Sequence, residues 1–123
     1  MATEGLGTQL IGPAEAARRL GISIKALKLY ERRGLVRPMR TQKGWRLYRV
    51  ADIDRVSQAL AFKAMGFGLS QIAGLLDASL TEVAVALAAQ EQQMLRRRAE
   101  LDAAIEAVRD ARRCRAPALR LAA

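Results

Sequence analysis

The chain contains no histidine and a single cysteine, and both shortages narrow the chemistry it can perform. Without histidine it lacks the commonest general base and the commonest metal ligand. One thiol forms no disulfide within the chain and supplies no four-thiolate metal site. The sequence also has no phosphate-binding glycine loop and no evident pairing of a nucleophile with a base. We therefore predict that the protein is not an enzyme and needs no metal or other cofactor.

Long apolar runs are missing as well. No stretch approaches the length that spans a membrane. The first residues, MATEGLGTQLIG, have neither the basic start nor the apolar centre of a signal peptide. We therefore expect a cytoplasmic protein without a membrane partner.

Basic charge, by contrast, is abundant and unevenly distributed. The chain has 21 Lys and Arg against 12 Asp and Glu, a net charge of +9. Residues 1–70 hold 13 basic and 5 acidic side chains, whereas residues 71–123 hold 8 and 7. The first part is therefore suited to bind a polyanion. Improved solubility is the alternative explanation, but it does not account for the concentration of charge in one part of the chain.

Residues 11–77 predict a small helix-turn-helix domain. Pro13 suits the first turn of a helix, and Gly21 suits its end. Ser23 is a good N-cap for a second, basic helix that Gly34 terminates. A basic helix after a glycine turn has the arrangement that places a recognition helix in the DNA major groove.

The rest of this domain is predicted as a wing and two further helices. Residues 35–49 combine turn chemistry with strand-forming aromatic residues, which is typical of a short hairpin. Helical periodicity returns over residues 52–65 and ends at Gly66. Ser70 is then expected to cap a short helix that runs to Leu76.

The last part of the sequence predicts one long helix. Ser79 and Glu82 match a capping box, and residues 80–113 contain neither proline nor glycine. Such a helix is about 50 Å long. Its expected dimerisation residues are Leu80, Leu87, Met94, Leu101, Ile105 and Val108. All but Ile105 recur every seven residues, so we predict a coiled coil. A solitary charged helix is the alternative, and it leaves these side chains exposed.

The predicted fold is therefore mainly α: a winged helix-turn-helix DNA-binding domain followed by a dimerisation helix. Residues 1–10 are expected to be a flexible N-terminus and residues 11–77 the DNA-binding domain. Residues 78–113 are expected to form the coiled-coil helix, and residues 114–123 a flexible tail.

Ten side chains are candidates for contact with double-stranded DNA. They are Arg18, Ser23, Lys25, Lys28, Tyr30, Arg40, Trp45, Arg46, Tyr48 and Lys63. Lys25 lies in the first turns of the recognition helix, where it is best placed to reach base edges. Lys28 can reach a base or a phosphate, and Lys63 a phosphate. The hydroxyl of Tyr30 can bind a phosphate, although core packing of its ring is an equal alternative.

Strand alternation predicts two different faces for the wing. Arg46 and Tyr48 share one face, which we assign to DNA, while Trp45 lies on the other. The favoured role of Trp45 is that of a core residue. A phosphate contact through its indole N–H and insertion into the minor groove are the alternatives.

These segments resemble the MerR family of bacterial transcription regulators. The matching stretches are IGPAEAARRLGIS, ALKLYERRGLVRP, GWRLY and MGFGLSQIAGLL. The resemblance implies a homodimer with antiparallel long helices on a near-palindromic promoter. It also implies that the dimer bends and untwists an overlong promoter spacer, so that RNA polymerase can use both promoter elements. By position, Lys25, Lys28 and Tyr30 match the recognition-helix contacts, and Trp45 and Arg46 match the wing contacts.

The sequence departs from this family's pattern in three places. Lys28, Leu29 and Tyr30 stand where Arg-Tyr-Tyr is usual, and lysine lacks the bidentate fork of arginine. We expect no separate effector domain of the kind that drug-sensing members carry after the long helix. Cys114 lies roughly where metal sensors carry several cysteines, so it is a weak candidate only. An effector-less repressor, an architectural DNA-bending dimer and a coiled-coil adaptor therefore stay open as alternatives.

Overall fold

The computed structural model describes residues 9–114, and within this range the protein is mainly helical. Helices and short strands follow in one order along the chain. They are β1 (Leu10–Ile11), α1 (Pro13–Leu20), α2 (Ile24–Arg32), β2 (Met39–Arg40), β3 (Arg46–Arg49), α3 (Val50–Ala64), α4 (Leu69–Leu76) and α5 (Leu80–Arg113). The chain forms two compact units, and the boundary between them lies between Val83 and Ala84.

The helix-turn-helix pair forms as the local signals predicted. Pro13 is the first residue of α1, where its missing N–H costs nothing. Gly21 ends α1 with a φ of 69°, a left-handed conformation that a glycine adopts without strain. The Ser23 hydroxyl accepts a hydrogen bond of 3.0 Å from the Ala26 N–H at the start of α2. The tight turn between the two helices is thus determined by short-range chemistry.

A three-stranded antiparallel sheet forms the wing, with β3 between β1 and β2. The hairpin of β2 and β3 was predicted, and Arg40 pairs with Arg46 in it. Strand β1 was not predicted, because Leu10 was assigned to a flexible lead-in. Leu10 and Ile11 pair with Arg49 and Tyr48. A strand of two residues has no periodicity of its own, and only pairing with β3 defines it.

Helices α3 and α4 begin earlier than predicted. Helix α3 begins at Val50, since the buried Asp52 carboxylate accepts the Arg49 N–H at 2.8 Å. The prediction that Ser70 caps α4 is wrong, because the N-cap is Gly68. The Gln71 side chain accepts the Gly68 N–H at 3.0 Å, the reciprocal bond of a capping box, so the helix begins before the predicted cap.

The core of the first unit lies between α1, α2, α3, α4 and β3. Its largest fully buried side chains are Tyr48, Leu27, Leu35, Ile72, Val36 and Val56. Phe62 and Phe67 add an edge-to-face contact with ring centroids 5.8 Å apart. Burial of this apolar surface is the main source of the unit's stability. The core therefore determines which face of the recognition helix is left exposed.

Helix α5 is continuous from Leu80 to Arg113, as the sequence predicted. The Glu82 N–H donates to the Ser79 hydroxyl oxygen at 3.1 Å, so Ser79 caps α5 as predicted. No residue of α5 is buried. Within the described range, no helix is both long and apolar enough to cross a membrane.

Candidate nucleic-acid interface

The recognition helix α2 has one buried face and one basic face. Leu27 and Tyr30 are buried, whereas Lys25, Lys28 and Arg32 are exposed. The i, i+3 spacing of Lys25 and Lys28 places the two ammonium groups on neighbouring turns. Packing of the apolar face against the core therefore presents the cations to solvent.

Tyr30 belongs to the core rather than to the basic face. Its side chain is only 2% exposed. The Lys63 ammonium of α3 lies 5.8 Å from the ring centroid and donates to the hydroxyl at 3.5 Å. Of the two roles considered for Tyr30, the structure shows core packing. The same contact brings the positive charge of Lys63 beside α2.

The structure reverses the predicted orientation of the wing residues. Tyr48, which was assigned to DNA, is 0% exposed, and Trp45, which was assigned to the core, is 66% exposed. The alternation itself holds, because Arg46 and Tyr48 do share a face. That face points towards α2, where Arg46 contacts Glu31. The prediction that Tyr48 faces DNA is therefore wrong, because its ring fills the core.

The tip of the wing is a tight turn that displays Trp45. The Thr41 N–H donates to the Trp45 carbonyl at 2.9 Å, and the Trp45 N–H donates to the Thr41 hydroxyl oxygen at 3.1 Å. Gly44 has a φ of 83°, which the turn requires. The Lys43 ammonium lies 5.5 Å from the centroid of the Trp45 ring. An exposed aromatic ring and a cation thus lie together at the wing tip.

Arg40 and Arg46, two of the predicted DNA contacts, are bound within the protein. Arg40 contacts one Glu31 carboxylate oxygen at 2.9 Å, and Arg46 contacts the other at 2.7 Å. Arg40 also donates to the Gly44 carbonyl at 3.0 Å. Their guanidinium groups therefore connect the wing to α2.

Two other candidates are exposed, but each also has a contact within the protein. Arg18 is exposed and pairs with Glu15 at 2.6 Å, and Arg19 contacts the same carboxylate at 3.0 Å. These hydrogen bonds lower the pKa of Glu15 to about 2. The Ser23 hydroxyl is the cap of α2. Neither side chain is buried, so both stay accessible to a ligand.

Sequence reasoning missed the acidic residues that organise this surface. Glu31 is the single acidic residue between positions 23 and 49, a signal present in the sequence but not used. Asp52 is buried and pairs with Arg49 at 2.9 Å. Asp77 forms a two-point contact with Arg55 at 2.9 and 3.1 Å, and Arg55 lowers the pKa of Asp77.

Arg55 also contacts the segment that follows the recognition helix. Its Nε donates to the Leu35 carbonyl at 2.6 Å. One guanidinium thus connects α3, the segment after α2 and the segment after α4. A cavity of about 240 Å³ beside it is lined by three arginines and two aspartates. Asp52 and Asp77 pair with two of these arginines, Arg49 and Arg55.

This arrangement agrees with a known family of regulators. The family model for the MerR HTH family regulatory protein matches residues 13–79. The chain belongs to the MerR family. The predicted resemblance and the winged helix-turn-helix fold are therefore confirmed. Members of this family are transcriptional regulators rather than enzymes.

Individual MerR-family relatives give the same result. The HTH-type transcriptional activator mta of Bacillus subtilis strain 168 is 33% identical over 95 residues, which are 76% of this chain and 37% of that protein. The HTH-type transcriptional activator TipA of Streptomyces coelicolor is 31% identical over 102 residues, 82% of this chain and 40% of that protein. The chain thus spans less than half of the length of these relatives.

Solved MerR-family structures share the architecture. The N-terminal part of the Bacillus subtilis multidrug transporter activator superposes with a TM-score of 0.76 at 30% identity, covering 82% of this chain and 96% of that one. HiNmlR, a MerR family regulator lacking the sensor domain and bound to promoter DNA, superposes with a TM-score of 0.60 at 24% identity, covering 80% of each chain. The second likeness concerns the fold alone.

Proposed function

We propose that the chain binds a near-palindromic promoter as a homodimer and regulates transcription by distorting an overlong spacer. The observation that carries this proposal is the division of α2 into a buried apolar face and an exposed face with Lys25 and Lys28. A helix held in this way presents cations to the major groove without moving. HiNmlR, which has a similar fold, is bound to promoter DNA, and this supports DNA binding by a fold of this kind.

The proposed DNA surface has a centre, formed by α2, and a flank, formed by the wing tip. Lys25 and Lys28 reach base edges and phosphates from the exposed side of α2. Trp45 and Lys43 contact the backbone or the minor groove from the wing tip. Lys63, beside Tyr30, adds a phosphate contact. Modest base-reading capacity at the centre leaves much of the specificity to the shape and deformability of the DNA.

The exposed apolar side chains of α5 support the homodimer. The predicted dimerisation residues, called the seam, are all exposed in the single chain. They are Leu80, Leu87, Met94, Leu101, Ile105 and Val108. Val85 and Leu95, outside the seam, are exposed too. An apolar stripe along a long helix is stabilised when a second helix covers it. A second copy of this chain, antiparallel to the first, supplies that helix and places two recognition helices on one palindrome.

We propose no cofactor, and Cys114 is the sole candidate for a sensor within this chain. It is exposed at the end of α5. Among residues 9–114 no group of three or more potential ligands lies close enough to hold a metal ion. RNA polymerase acts at the same promoter in this scheme, since distortion of the spacer serves to align its two contact elements.

A footprint on the DNA upstream of the coding region, at near-physiological salt, tests the proposal. We expect a short protected palindrome with a hypersensitive centre, the sign of a distorted spacer. Transcription from the same template then separates an activator from a repressor. Protection with a hypersensitive centre but without any change in transcription would favour an architectural DNA-bending dimer.

Two substitutions separate base reading from backbone contact. Lys25→Ala is expected to relax the choice of sequence, whereas Lys43→Ala is expected to weaken binding to every duplex. Arg96→Ala, which removes an exposed charge from α5, is the matched control. Retention of full specificity by Lys25→Ala would contradict the assignment of α2 to the major groove.

A further inference from the structure

Glu31 lies between the two parts of the proposed DNA surface. It belongs to α2, and its two carboxylate oxygens contact two different residues of the wing. The Glu31 side chain is 16% exposed and that of Arg46 is 24% exposed. An ion pair shielded to this extent holds its geometry better than an exposed one, because water and salt screen it less.

The contact reaches the tip of the wing. Arg40 of β2 and Arg46 of β3 are direct partners across the hairpin, so Glu31 bridges both strands. Arg40 also donates to the carbonyl of Gly44, next to Trp45. Each link in this chain of contacts is a hydrogen bond to a charged group, the stronger class of such bonds. These contacts connect Glu31 to the turn that carries Trp45.

The charge of Glu31 opposes the function proposed for its surroundings. A carboxylate beside a recognition helix repels DNA phosphates and lowers the positive potential. It is the single acidic residue between positions 23 and 49. A structural benefit must outweigh this electrostatic cost if the surface binds DNA.

We propose that Glu31 is a positioning residue for DNA binding: through Arg40 and Arg46 it sets the distance between the wing tip and the recognition helix. This inference rests on the proposed DNA-binding function. It makes Arg40 and Arg46 parts of the scaffold rather than direct phosphate contacts. The DNA contacts of the wing are then Lys43 and Trp45.

The sign of one mutational effect tests the proposal. Glu31→Gln adds one net positive charge, so electrostatics alone predicts tighter binding to DNA. Loss of positioning predicts the opposite, a fall in affinity of about tenfold for the footprinted duplex. Asp54→Asn on α3 makes the same change of charge at an exposed site and is the matched control. Its affinity is expected to equal or exceed that of the unsubstituted protein.

Three further measurements show where the loss arises. Trp45 is the only tryptophan in the chain, so its fluorescence reports on the wing alone. Glu31→Gln is expected to lower the Trp45 anisotropy of the free protein and to remove footprint protection at the flanks but not at the centre. In an Arg40→Met, Arg46→Met background, Glu31→Gln is expected to cause no further loss of affinity.

A second variant controls for loss of folding in Glu31→Gln. Glu31→Asp keeps the charge but shortens the side chain, so it spans only one of the two arginines, and an intermediate affinity is expected. Tighter binding by Glu31→Gln, or a further loss of affinity when it is added to Arg40→Met and Arg46→Met, would overturn the inference while leaving the proposed function intact. An unsubstituted protein that binds a random duplex as tightly as the footprinted one would overturn the proposed function itself.

Discussion

The first compact unit, which carries the wing and is called the winged unit, differs from the long helix α5 in where its apolar side chains lie. The winged unit buries a core of apolar residues that includes Leu27, Tyr48 and Ile72, whereas α5 buries none of its own. Most of the excess positive charge belongs to the winged unit, and the long helix is nearly balanced. A region with its own core can use its surface for binding a polyanion. A region without a core needs its apolar surface for association.

The largest expected effect compares the same substitution in both regions. Leu27→Ala empties a fully buried site in the winged unit and is expected to lower the free energy of unfolding by about 3 kcal/mol. Leu101→Ala, at an exposed site of α5, is expected to change the unfolding of the winged unit by less than about 0.5 kcal/mol. Urea denaturation at low protein concentration measures both. Equal losses would show that the two regions do not differ as described.

A charge in the apolar stripe of α5 tests association directly. Leu101→Asp is expected to raise the dimer dissociation constant by about a hundredfold, since burial of a carboxylate in the interface is costly. Arg96→Asp, on the opposite face of the helix, is the control and is expected to leave the dimer intact. Sedimentation over a range of concentrations measures the constant. A Leu101→Asp protein that sediments as a stable dimer would refute the coiled-coil assignment.

A smaller effect is expected from the hydroxyl of Tyr48 in the core of the winged unit. Among the described residues it has no hydrogen-bond partner, and burial raises its pKa. Because an unsatisfied buried hydroxyl is unfavourable, Tyr48→Phe is expected to raise the free energy of unfolding by about 1 kcal/mol or less. Thermal unfolding measures it, with Tyr30→Phe as the control because the Tyr30 hydroxyl contacts Lys63. A large loss of stability in Tyr48→Phe would reveal a bond that the hydroxyl makes.

The smallest expected effect is a pH dependence of stability that arises in the winged unit. Folding lowers the pKa of Glu15 from 4.5 to about 2, through hydrogen bonds from Arg18 and Arg19. This contribution is complete above the unfolded pKa and is lost as the pH falls towards the folded value. Glu15→Gln is expected to reduce slightly the change in melting temperature between these two pH values. The reduction is expected to be smaller at high salt. Glu100→Gln on α5 is the control, and an identical profile for both variants would contradict the assignment.

Local signals account for the parts of the fold that were predicted. Pro13, Gly21, Ser23 and Ser79 determine the ends of helices through the backbone groups of their immediate neighbours, so no distant contact is needed. The length of α5 follows from an uninterrupted stretch without proline or glycine. The Ser70 prediction failed because Gln71 accepts the Gly68 N–H and so places the start of the helix before Ser70, and the sequence pattern does not rank the two starts.

The candidate site was predicted less completely than the fold. Lys25 and Lys28 follow from helical spacing, and both are exposed. The wing was assigned with its two faces reversed, because period-two alternation pairs Arg46 with Tyr48 but does not say which face meets the core. Glu31 was missed since its partners lie 9 and 15 residues away in the chain.

The sequence by itself therefore determined the helices, the turn between them, the exposed basic face of α2 and the family. Only the tertiary structure decided which wing residues are buried, where β1 pairs and how Glu31 connects α2 to the wing. The reason is physical: helix ends and periodicity depend on contacts within a few residues. Burial and ion pairing depend instead on which elements the core brings together.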